Sequence, residues 1–211
     1  LSTLINELLD LSSIEAGQLQ LRSAPLRLPE LLNETLDLMQ PLALAKQLRC
    51  TLIAPGSLPE WVLGDRQRLG QVLINLLGNA IKFTEQGLVD LHVRAEGPGR
   101  ISFAVADTGI GIAPSQQARV FEPFNQGAQG EARIGGTGLG LAITRELVRL
   151  MGGEVSLHSV PGAGSRFAFS LPLPSAEAPP QAPGAQSPAE AASRSLRVLL
   201  AEDNEVNAEL F

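Results

Sequence analysis

The sequence contains only one cysteine, Cys50, so no disulfide bond can form within the chain. The residues around it alternate between apolar and polar, which predicts a strand. We interpret Cys50 as a small strand residue, with a reactive thiol as the alternative. A chain without disulfides suits a reducing compartment, so we expect a cytoplasmic location. No apolar run reaches the roughly 18–20 residues that cross a bilayer, and we expect no membrane contact from this part of the protein.

Basic residues are also few, since 16 lysines and arginines stand against 22 acidic residues and the net charge is −6. Duplex binding needs clustered basic side chains to displace counterions, so this balance argues against a nucleic-acid partner. Aromatic residues make up 4% of the chain, whereas hydrophobic residues reach 44%. These proportions are typical of an α/β core built mainly from leucine, isoleucine, valine and alanine.

The chain divides into four predicted segments. Residues 1–17 carry leucines at alternating three- and four-residue steps, which predicts the end of a helix with an apolar seam for a partner helix. The alternative is that this face packs only on its own domain. Residues 18–174 form the main domain, and residues 175–195 are a Pro/Ala-rich linker that cannot bury a core. Residues 196–211 begin a new pattern, a hydrophobic strand that ends in paired carboxylates.

The main domain mixes helical and strand patterns. Helical spacing predicts a helix from about Pro29, a second from Asp65 to about Phe83, and a third over 139–151. Residues 113–139 are rich in glycine, glutamine and alanine without strong periodicity, which predicts a mobile lid. The predicted strands cover 19–22, 49–53, 61–63, 87–95, 101–106, 154–159 and 165–171. This order predicts an α+β fold, a two-layer α/β sandwich whose mixed, mostly antiparallel sheet is covered by helices on one face.

A first polar motif lies on the predicted helix that ends near residue 83. Asn75 and Asn79 are four residues apart and share one helical face, while Lys82 follows about one turn later. Magnesium prefers hard oxygen ligands and often binds few side chains together with phosphate oxygens. An asparagine oxygen supplies such a ligand without adding negative charge near a triphosphate. The alternative is that both asparagines merely face solvent.

A second motif, Asp107-Thr-Gly109-Ile-Gly111, ends a predicted hydrophobic strand. The Asp107 carboxylate can accept a hydrogen bond from the amino group of adenine, whereas guanine presents a carbonyl there and is repelled. Gly109 and Gly111 lack a Cβ, so the backbone can approach a base closely. An ordinary turn is the alternative, because aspartate and glycine favour turns in general.

A third motif is rich in glycine and precedes a predicted helix. Gly135, Gly136, Gly138 and Gly140 can rearrange around a phosphate, and the helix N-terminus favours an anion through its free amides and its dipole. The spacing matches neither a Walker A loop nor a dinucleotide-binding fingerprint. Taken alone, this cluster favours a flexible connector.

In this order the three motifs resemble the N, G1 and G2 boxes of the histidine-kinase ATP-binding domain. Phe121-Glu-Pro-Phe124 lies between the second and third motifs and resembles the F box of those kinases. The resemblance covers roughly residues 1–174. It implies the Bergerat fold, which histidine kinases share with the Hsp90, MutL and gyrase ATPases.

The flanking segments carry resemblances of their own. Residues 1–17 resemble the end of the second helix of the kinase dimerisation domain, which implies a homodimer through this helix in the full protein. Residues 196–211 resemble the first strand of a receiver domain, in which Glu202 and Asp203 would form part of a Mg²⁺ site that is incomplete in this chain. A stray hydrophobic tail is the alternative, and a piece this short should not fold alone.

The resemblance implies ATP and Mg²⁺ as cofactors and gives roles to the matching residues. Asn79 becomes the metal ligand, Asn75 supports it, and Lys82 neutralises phosphate charge, so Asn75 and Lys82 are the candidate catalytic residues. The candidate nucleotide-binding residues are Asn79, Asp107, Gly109, Gly111, Phe121, Phe124, Arg133, Gly136, Thr137, Gly138, Leu139, Gly140 and Ser165. The sequence departs from the common family pattern at Ile134, where an aromatic residue is frequent, and at Ala132, where a basic one is.

The implied function is that of an ATP-dependent protein-histidine kinase, as the catalytic domain of a hybrid sensor kinase in a two-component phosphorelay. The γ-phosphoryl group would pass to a histidine of its own phosphoacceptor domain and then to its own or a cognate receiver domain. Neither His92 nor His158 suits that role, because both fall in predicted strands with no adjacent acidic residue. We expect the acceptor to precede Leu1, and we expect the full-length protein to be a membrane-anchored sensor.

Two other functions stay open at this point. The chain could be a signalling module in which nucleotide binding or dimer pairing matters and phosphotransfer does not. It could also be an ATPase of the same fold that uses ATP as a conformational clamp. Such ATPases usually need a carboxylate base to activate water, and the equivalent position here is Asn75.

Overall fold

A computed structural model of the chain describes residues 2–56, 58–125 and 137–179. The described helices are α1 Ser2–Glu15, α2 Leu28–Ala45, α3 Arg66–Phe83, α4 Pro114–Gln117 and α5 Gly140–Leu150. The described strands are β1 Ala24–Arg27, β2 Arg49–Ile53, β3 Trp61–Gly64, β4 Leu88–Ala95, β5 Arg100–Asp107, β6 Val155–Val160 and β7 Gly164–Pro172. Among the helices in these ranges, none combines the length and apolar character that a bilayer crossing requires.

The main sheet has five strands in the order β2-β4-β5-β7-β6. Only β2 and β4 run parallel in this sheet, and the other neighbours pair antiparallel. Strands β1 and β3 form a separate antiparallel ribbon. This topology confirms the predicted α+β fold with a mixed, mostly antiparallel sheet.

One face of the sheet forms the core of the domain. Alternate residues of β4, β5 and β7 point to that face and are buried beneath α2, α3 and α5. Phe103 and Phe169 stack across β5 and β7 with ring centroids 5.1 Å apart. Burial of one such ring contributes about 1.5–3 kcal/mol. The buried side chains that these three strands contribute to this face are Val89, Leu91, Val93, Ile101, Phe103, Val105, Phe167, Phe169 and Leu171.

The first strand lies later in the chain than predicted, at β1 and not at residues 19–22. The physical reason is long-range pairing: Leu26 lies opposite Val62 of β3, and both side chains are buried. Before β1, the backbone N–H of Arg22 donates to Asp65 Oδ2 at 2.7 Å, which ties the predicted strand segment to the start of α3. The alternation of leucines near residue 20 therefore does not lead to a strand.

Helix α3 has its end groups satisfied on both sides. Asp65 Oδ1 accepts from the backbone N–H of Arg68 at 3.0 Å, which confirms the predicted N-cap. At the other end, Lys46 Nζ donates to the carbonyl oxygens of Ile81 at 2.8 Å and Lys82 at 2.7 Å. These oxygens have no partner within the helix, and a cation there also complements the helix dipole. The end of α3 that carries the first motif is therefore held in place by α2.

Helix α1 packs against its own domain at its C-terminal end. Leu11 and Ile14 are buried there, and Asp10 forms a 3.0 Å salt bridge with Arg68 of α3. Further toward its N-terminus, α1 presents the exposed apolar side chains Ile5, Leu8 and Leu9. The C-terminal part of this helix therefore packs on its own domain, whereas the prediction that its apolar seam meets a partner helix stays a prediction.

Candidate functional site

The first and third motifs meet where α3 passes the start of α5. Asn75 Nδ2 donates to Thr144 Oγ1 at 2.6 Å, so the N-box asparagine is tied directly to α5. Gly140 allows this approach, because a Cβ at that position would overlap Asn75 Oδ1. The third motif therefore needs a glycine here for the packing of two helices as well as for any contact with a phosphate.

The first and second motifs meet at the end of α3. The backbone N–H of Ile110 donates to the carbonyl oxygen of Phe83 at 3.3 Å. A Cβ at Gly109 would overlap that same oxygen. All three motifs therefore border one region of the domain, as the sequence predicts for a nucleotide site.

Asn79 is half-buried on the face of α3 that carries Asn75. Its Nδ2 lies 3.5 Å from Asn75 Oδ1, at the long limit for a hydrogen bond. Within residues 2–56, 58–125 and 137–179, nothing donates to Asn79 Oδ1, so this oxygen is available as a ligand. Lys82 lies near the end of the same helix, 4.7 Å from the ring centroid of Phe83. Partial burial lowers the pKa of the Lys82 ammonium group.

Asp107 stands at the end of β5 with one carboxylate oxygen engaged. Oδ1 accepts from the backbone N–H of Gly109 at 2.9 Å and of Ser165 at 3.3 Å. Burial raises the pKa of Asp107, and these two hydrogen bonds oppose that shift without cancelling it. No N–H or O–H group of the described residues donates to Oδ2, which leaves that oxygen free to accept from a ligand.

The glycines beside Asp107 are required by the packing of the chain itself. Gly111 has φ +68°, and a Cβ there would overlap the carbonyl oxygen of Val160. Gly164 has φ +98°, and a Cβ there would overlap the carbonyl oxygen of Asp107. From the sequence, Gly109 and Gly111 were explained by the close approach of a base. The structure shows that backbone carbonyl oxygens already occupy the positions where their Cβ atoms would lie.

Ser159 is a buried connector that the sequence reasoning missed. Its Oγ donates to the carbonyl oxygen of Gly164 at 2.9 Å and accepts from the backbone N–H of Ile112 at 2.8 Å. Ser165 Oγ lies 3.0 Å away, and since the single Ser159 proton is already used, Ser165 is the donor of that pair. Gln117 of α4 adds a bond to the Ser159 carbonyl oxygen at 2.9 Å. The sequence does contain one indication of this role: Ser159 is polar but alternates with Val155 and Leu157 on the inward side of β6.

The two phenylalanines of the F box have different environments. Phe121 is buried and packs edge-on against Phe167 with ring centroids 6.1 Å apart, and the Arg145 guanidinium lies 5.7 Å from its ring. Phe124 is 63% exposed and has φ +62°. Its backbone N–H donates to the carbonyl oxygen of Gly138 at 3.0 Å, which joins the F box to the third motif.

Part of the third motif lies within the described residues. Leu139 is fully buried, and its backbone N–H donates to Thr137 Oγ1 at 3.2 Å. Helix α5 then begins at Gly140 without a side-chain cap, and the amides that precede that of Ile143 have no acceptor within the helix. The predicted site residues Arg133 and Gly136 lie outside the described residues, as do Glu202 and Asp203 of the predicted receiver strand.

His92, His158 and Cys50 lie on strands and belong to none of these motifs. His92 is half-buried on β4 and His158 is exposed on β6. Cys50 is buried on β2, and burial together with the charge of Asp90 raises the pKa of its thiol. A raised pKa disfavours the reactive thiolate, so this environment supports the interpretation of Cys50 as a strand residue.

Comparison with known proteins identifies relatives of this region. The family described as Histidine kinase-, DNA gyrase B-, and HSP90-like ATPase matches residues 64–175. The chain is 44% identical to the signal transduction histidine-protein kinase BarA of Escherichia coli (strain K12) over 178 residues, which is 82% of this chain and 19% of BarA. It is 42% identical to the sensor protein GacS of Pseudomonas syringae pv. syringae over 181 residues, 83% of this chain and 20% of GacS. The chain thus spans about a fifth of the length of these curated relatives.

Solved structures give the same relationship. Full-length ShkA, in a crystal structure of its complex with AMPPNP, has a TM-score of 0.74 and 39% identity, covering 83% of this chain and 36% of that chain. The nucleotide-free catalytic domain of the histidine kinase ThkA has a TM-score of 0.61 and 27% identity, covering 72% of this chain and 95% of that chain. The predicted fold and the predicted relationship to sensor histidine kinases are confirmed.

Proposed function

This chain belongs to the family of histidine kinase-, DNA gyrase B- and HSP90-like ATPases, and we propose that it is the ATP-binding catalytic domain of a hybrid sensor histidine kinase. Residues 18–174 would hold Mg-ATP and present its γ-phosphoryl group to a histidine that this chain does not contain. Phosphoryl transfer depends mainly on positioning and on neutralisation of charge. The work of this domain is therefore to bind and orient the nucleotide.

A single observation carries the proposal: three motifs that are far apart in sequence border one site. Asn75 contacts α5 through Thr144, and Phe83 at the end of α3 contacts Ile110 of the second motif. These contacts bring a candidate metal ligand, a candidate base acceptor and a helix N-terminus together. Those are the groups that a magnesium nucleotide needs.

Magnesium fits the residues present. The amide nitrogen of Asn79 faces Asn75, so the amide oxygen, a hard ligand, is available to the metal. The described residues contain no group of three His, Cys, Asp or Glu side chains that could hold a metal without further ligands. The remaining ligands would be phosphate oxygens and waters, which Mg²⁺ usually retains. When bound, Mg²⁺ would neutralise phosphate charge. Lys82 would add a positive charge from the same helix, and Asn75 would orient Asn79.

The remaining predicted residues divide between the base and the phosphates. Asp107 Oδ2 would accept from the adenine amino group, with Gly109, Gly111 and Ser165 shaping that end of the site. The phosphates would lie against the third motif and the lid residues. We assign to that end Phe121, Phe124, Arg133, Gly136, Thr137, Gly138, Leu139 and Gly140.

Titration with ADP in Mg²⁺ tests the base-reading role. Wild-type protein should show a ligand-induced rise in Tm, and Asp107→Asn should lose most of it, because its amide would place an N–H group against the adenine amino group. The Asp107→Asn protein without ligand should unfold near the wild-type temperature. An unchanged ligand-induced shift in this variant would remove Asp107 from the role.

Incubation with labelled ATP tests the kinase assignment. The chain should bind the nucleotide without becoming phosphorylated, since it lacks a suitable acceptor, and it should phosphorylate a separate phosphoacceptor domain that carries the histidine. A stable phosphorylated product on this chain would contradict the proposal. Multiple turnovers of ATP hydrolysis that disappear in Asn75→Ala would favour the conformational clamp.

The flanking segments support a proposed arrangement for the whole protein. Residues 1–17 would continue a dimerisation helix, and the exposed Ile5, Leu8 and Leu9 offer an apolar surface for a partner helix. Residues 175–195 would link the domain to a receiver that begins at 196–211, and Glu202 and Asp203 would belong to its Mg²⁺ site. The whole protein would be a membrane-anchored sensor with a cytoplasmic catalytic domain.

Sedimentation of the chain tests the helix surface. We expect self-association that increases with concentration and that is reduced by Leu8→Glu, because a charge on an apolar contact is costly to bury. A chain that stays monomeric at every concentration would contradict association through α1 in this segment.

A further inference from the structure

We propose that Thr144 is a positioning residue that orients the metal-binding asparagine, Asn79, through its bond to Asn75. The proposal rests on the proposed Mg²⁺ role of Asn79 and deepens it. Thr144 is 1% exposed and lies on α5, the helix that the third motif precedes. It is not part of any of the motifs, and its side chain is too deeply buried to reach a nucleotide.

The bond from Asn75 to Thr144 fixes the orientation of the Asn75 amide. Asn75 Nδ2 donates to Thr144 Oγ1 at 2.6 Å, which is a close contact for an amide donor and a hydroxyl. Because Nδ2 is used in this way, the other end of the same amide, Oδ1, faces away from Thr144. The missing Cβ of Gly140 leaves the space that Oδ1 occupies.

The orientation of the Asn79 amide follows from that of Asn75. Asn75 Oδ1 can only accept, so the atom of Asn79 that turns toward it is Nδ2, at 3.5 Å. The carbonyl end of Asn79 then points away from Asn75 and remains available for a cation. An Asn79 amide in the opposite orientation would place two oxygens against each other and turn an N–H group toward the metal.

Asn75 has one strong and one weak partner. Its contact with Asn79 is long and weak alone, whereas its contact with Thr144 is short, and both are part-buried. The Thr144 hydroxyl is itself buried, so an amide that lost it as acceptor would not regain an equivalent partner from water. Thr144 therefore restrains Asn75 much more strongly than Asn79 does, and the orientation of Asn79 follows from that restraint. Groups that orient a metal ligand in this way typically change metal affinity about 10–100-fold when they are removed.

The test measures ADP affinity by calorimetry in Mg²⁺ and in EDTA. The ratio of the two affinities isolates the contribution of the metal. Thr144→Val keeps the shape of the side chain and removes its oxygen, and it should lower this ratio about 10-fold with little change in the affinity in EDTA. Thr144→Ser restores a hydroxyl and should retain the wild-type ratio.

Thr35→Val is the matched control. Thr35 is equally buried on a helix, and its Oγ1 donates to a backbone carbonyl, that of Leu31 at 2.7 Å, away from the three motifs. The variant should lose some stability and keep the ratio of affinities. Thermal unfolding without ligand establishes that each variant is folded. If Thr144→Val does not fold, Thr144→Ala and Asn75→Ala provide the same comparison.

A double-variant cycle distinguishes the relay from a local packing effect. If Thr144 acts through Asn75, then Asn75→Ala combined with Thr144→Val should lower the ratio no further than Asn75→Ala does alone. An unchanged ratio in Thr144→Val, or an equal loss of affinity in Mg²⁺ and in EDTA, would overturn the relay. Asn79→Ala separates this failure from that of the proposed function: if the ratio stays high in Asn79→Ala, the metal-ligand role itself is wrong, whatever Thr144 does.

Discussion

The two ends of the candidate site are built in different ways. At the proposed adenine end, Asp107 and Ser159 bond to backbone groups of the loop after β5 and of the start of β7, four bonds in all, and only Asp107 Oδ2 is left without a donor among the described residues. At the phosphate end, Asn75 has one short bond and Asn79 one long one. The adenine end is therefore preorganised, whereas the phosphate end keeps polar atoms available for a metal and its phosphates.

This difference indicates where substitutions affect folding and where they affect binding. A group with several backbone partners cannot change without disturbing the strands that hold it. Substitution of a group with few partners can change the affinity for a ligand at little cost in the stability of the fold. The four predictions below test this comparison, from the largest expected effect to the smallest.

The largest effect is expected for Gly164→Ala at the adenine end. A Cβ there would overlap the Asp107 carbonyl oxygen, and the residue has φ +98°. Backbone strain and forced displacement together should lower the free energy of unfolding by about 3 kcal/mol. Gly162→Ala in the same turn is the matched control, because it has φ +76° with no atom within 4 Å of the added Cβ. Urea unfolding should show a loss of only about 1 kcal/mol for it, and equal losses would mean that the overlap is unimportant.

Ser159→Ala should cost about 2 kcal/mol, because it leaves the part-buried N–H of Ile112 and the Ser165 hydroxyl without an acceptor. Nucleotide binding should weaken as well, since Asp107 lies beside this network. The control is Ser156→Ala on the same strand, whose exposed hydroxyl bonds to the Ala168 carbonyl oxygen. Chemical denaturation that gives the same midpoint for both variants would show that Ser159 has no special role.

Lys46→Met should cost about 1 kcal/mol, since it removes the cation from the carbonyl oxygens at the end of α3. The loss is smaller because water can replace part of these bonds. Arg149→Met, which removes a cation from an exposed pair with Glu146, should change the free energy of unfolding by less than about 0.5 kcal/mol. Hydrogen exchange should show faster opening of the last turn of α3 in Lys46→Met only, and unchanged exchange would contradict the role of Lys46.

The smallest effect concerns pH. Burial raises the pKa of Asp107 above its ordinary value of 3.8, so in the folded state this carboxyl binds a proton more readily than in the unfolded chain. Its contribution to stability is therefore fully present below the unfolded pKa and is lost as pH rises through the folded pKa. ADP affinity should change in the opposite direction, because only the ionised carboxylate can accept at both oxygens.

Calorimetric titrations at decreasing pH measure this second effect. ADP affinity of the wild-type protein should begin to fall at a higher pH than an ordinary aspartate would give. Asp107→Asn should show weak binding with no such fall. A wild-type affinity that is independent of pH down to 3.8 would indicate that Asp107 does not bind the base.

The sequence predicts those features that depend on neighbouring residues. The α3 helix with its Asp65 cap follows from local spacing, and so do the strands of the main sheet. Prediction from the sequence fails for β1, because the position of that strand depends on pairing with β3. It also misses Ser159 and Thr144, because their partners Ile112 and Asn75 lie 47 and 69 residues away in the chain. The motifs indicate the site because the candidate ligand residues lie close together within each motif. The residues that orient them, such as Thr144, belong to distant parts of the sequence that only the fold brings near.

The Cys50 thiol can report how often the β2 edge of the main sheet opens. It is the sole cysteine of the sequence, and it is buried on β2, which lies at the edge of the main sheet. An alkylating reagent can modify it only when that edge separates from α2, so the labelling rate measures the frequency of this separation directly. Comparing that rate with and without nucleotide would show whether nucleotide binding changes the opening of this edge of the sheet, with no probe added to the protein.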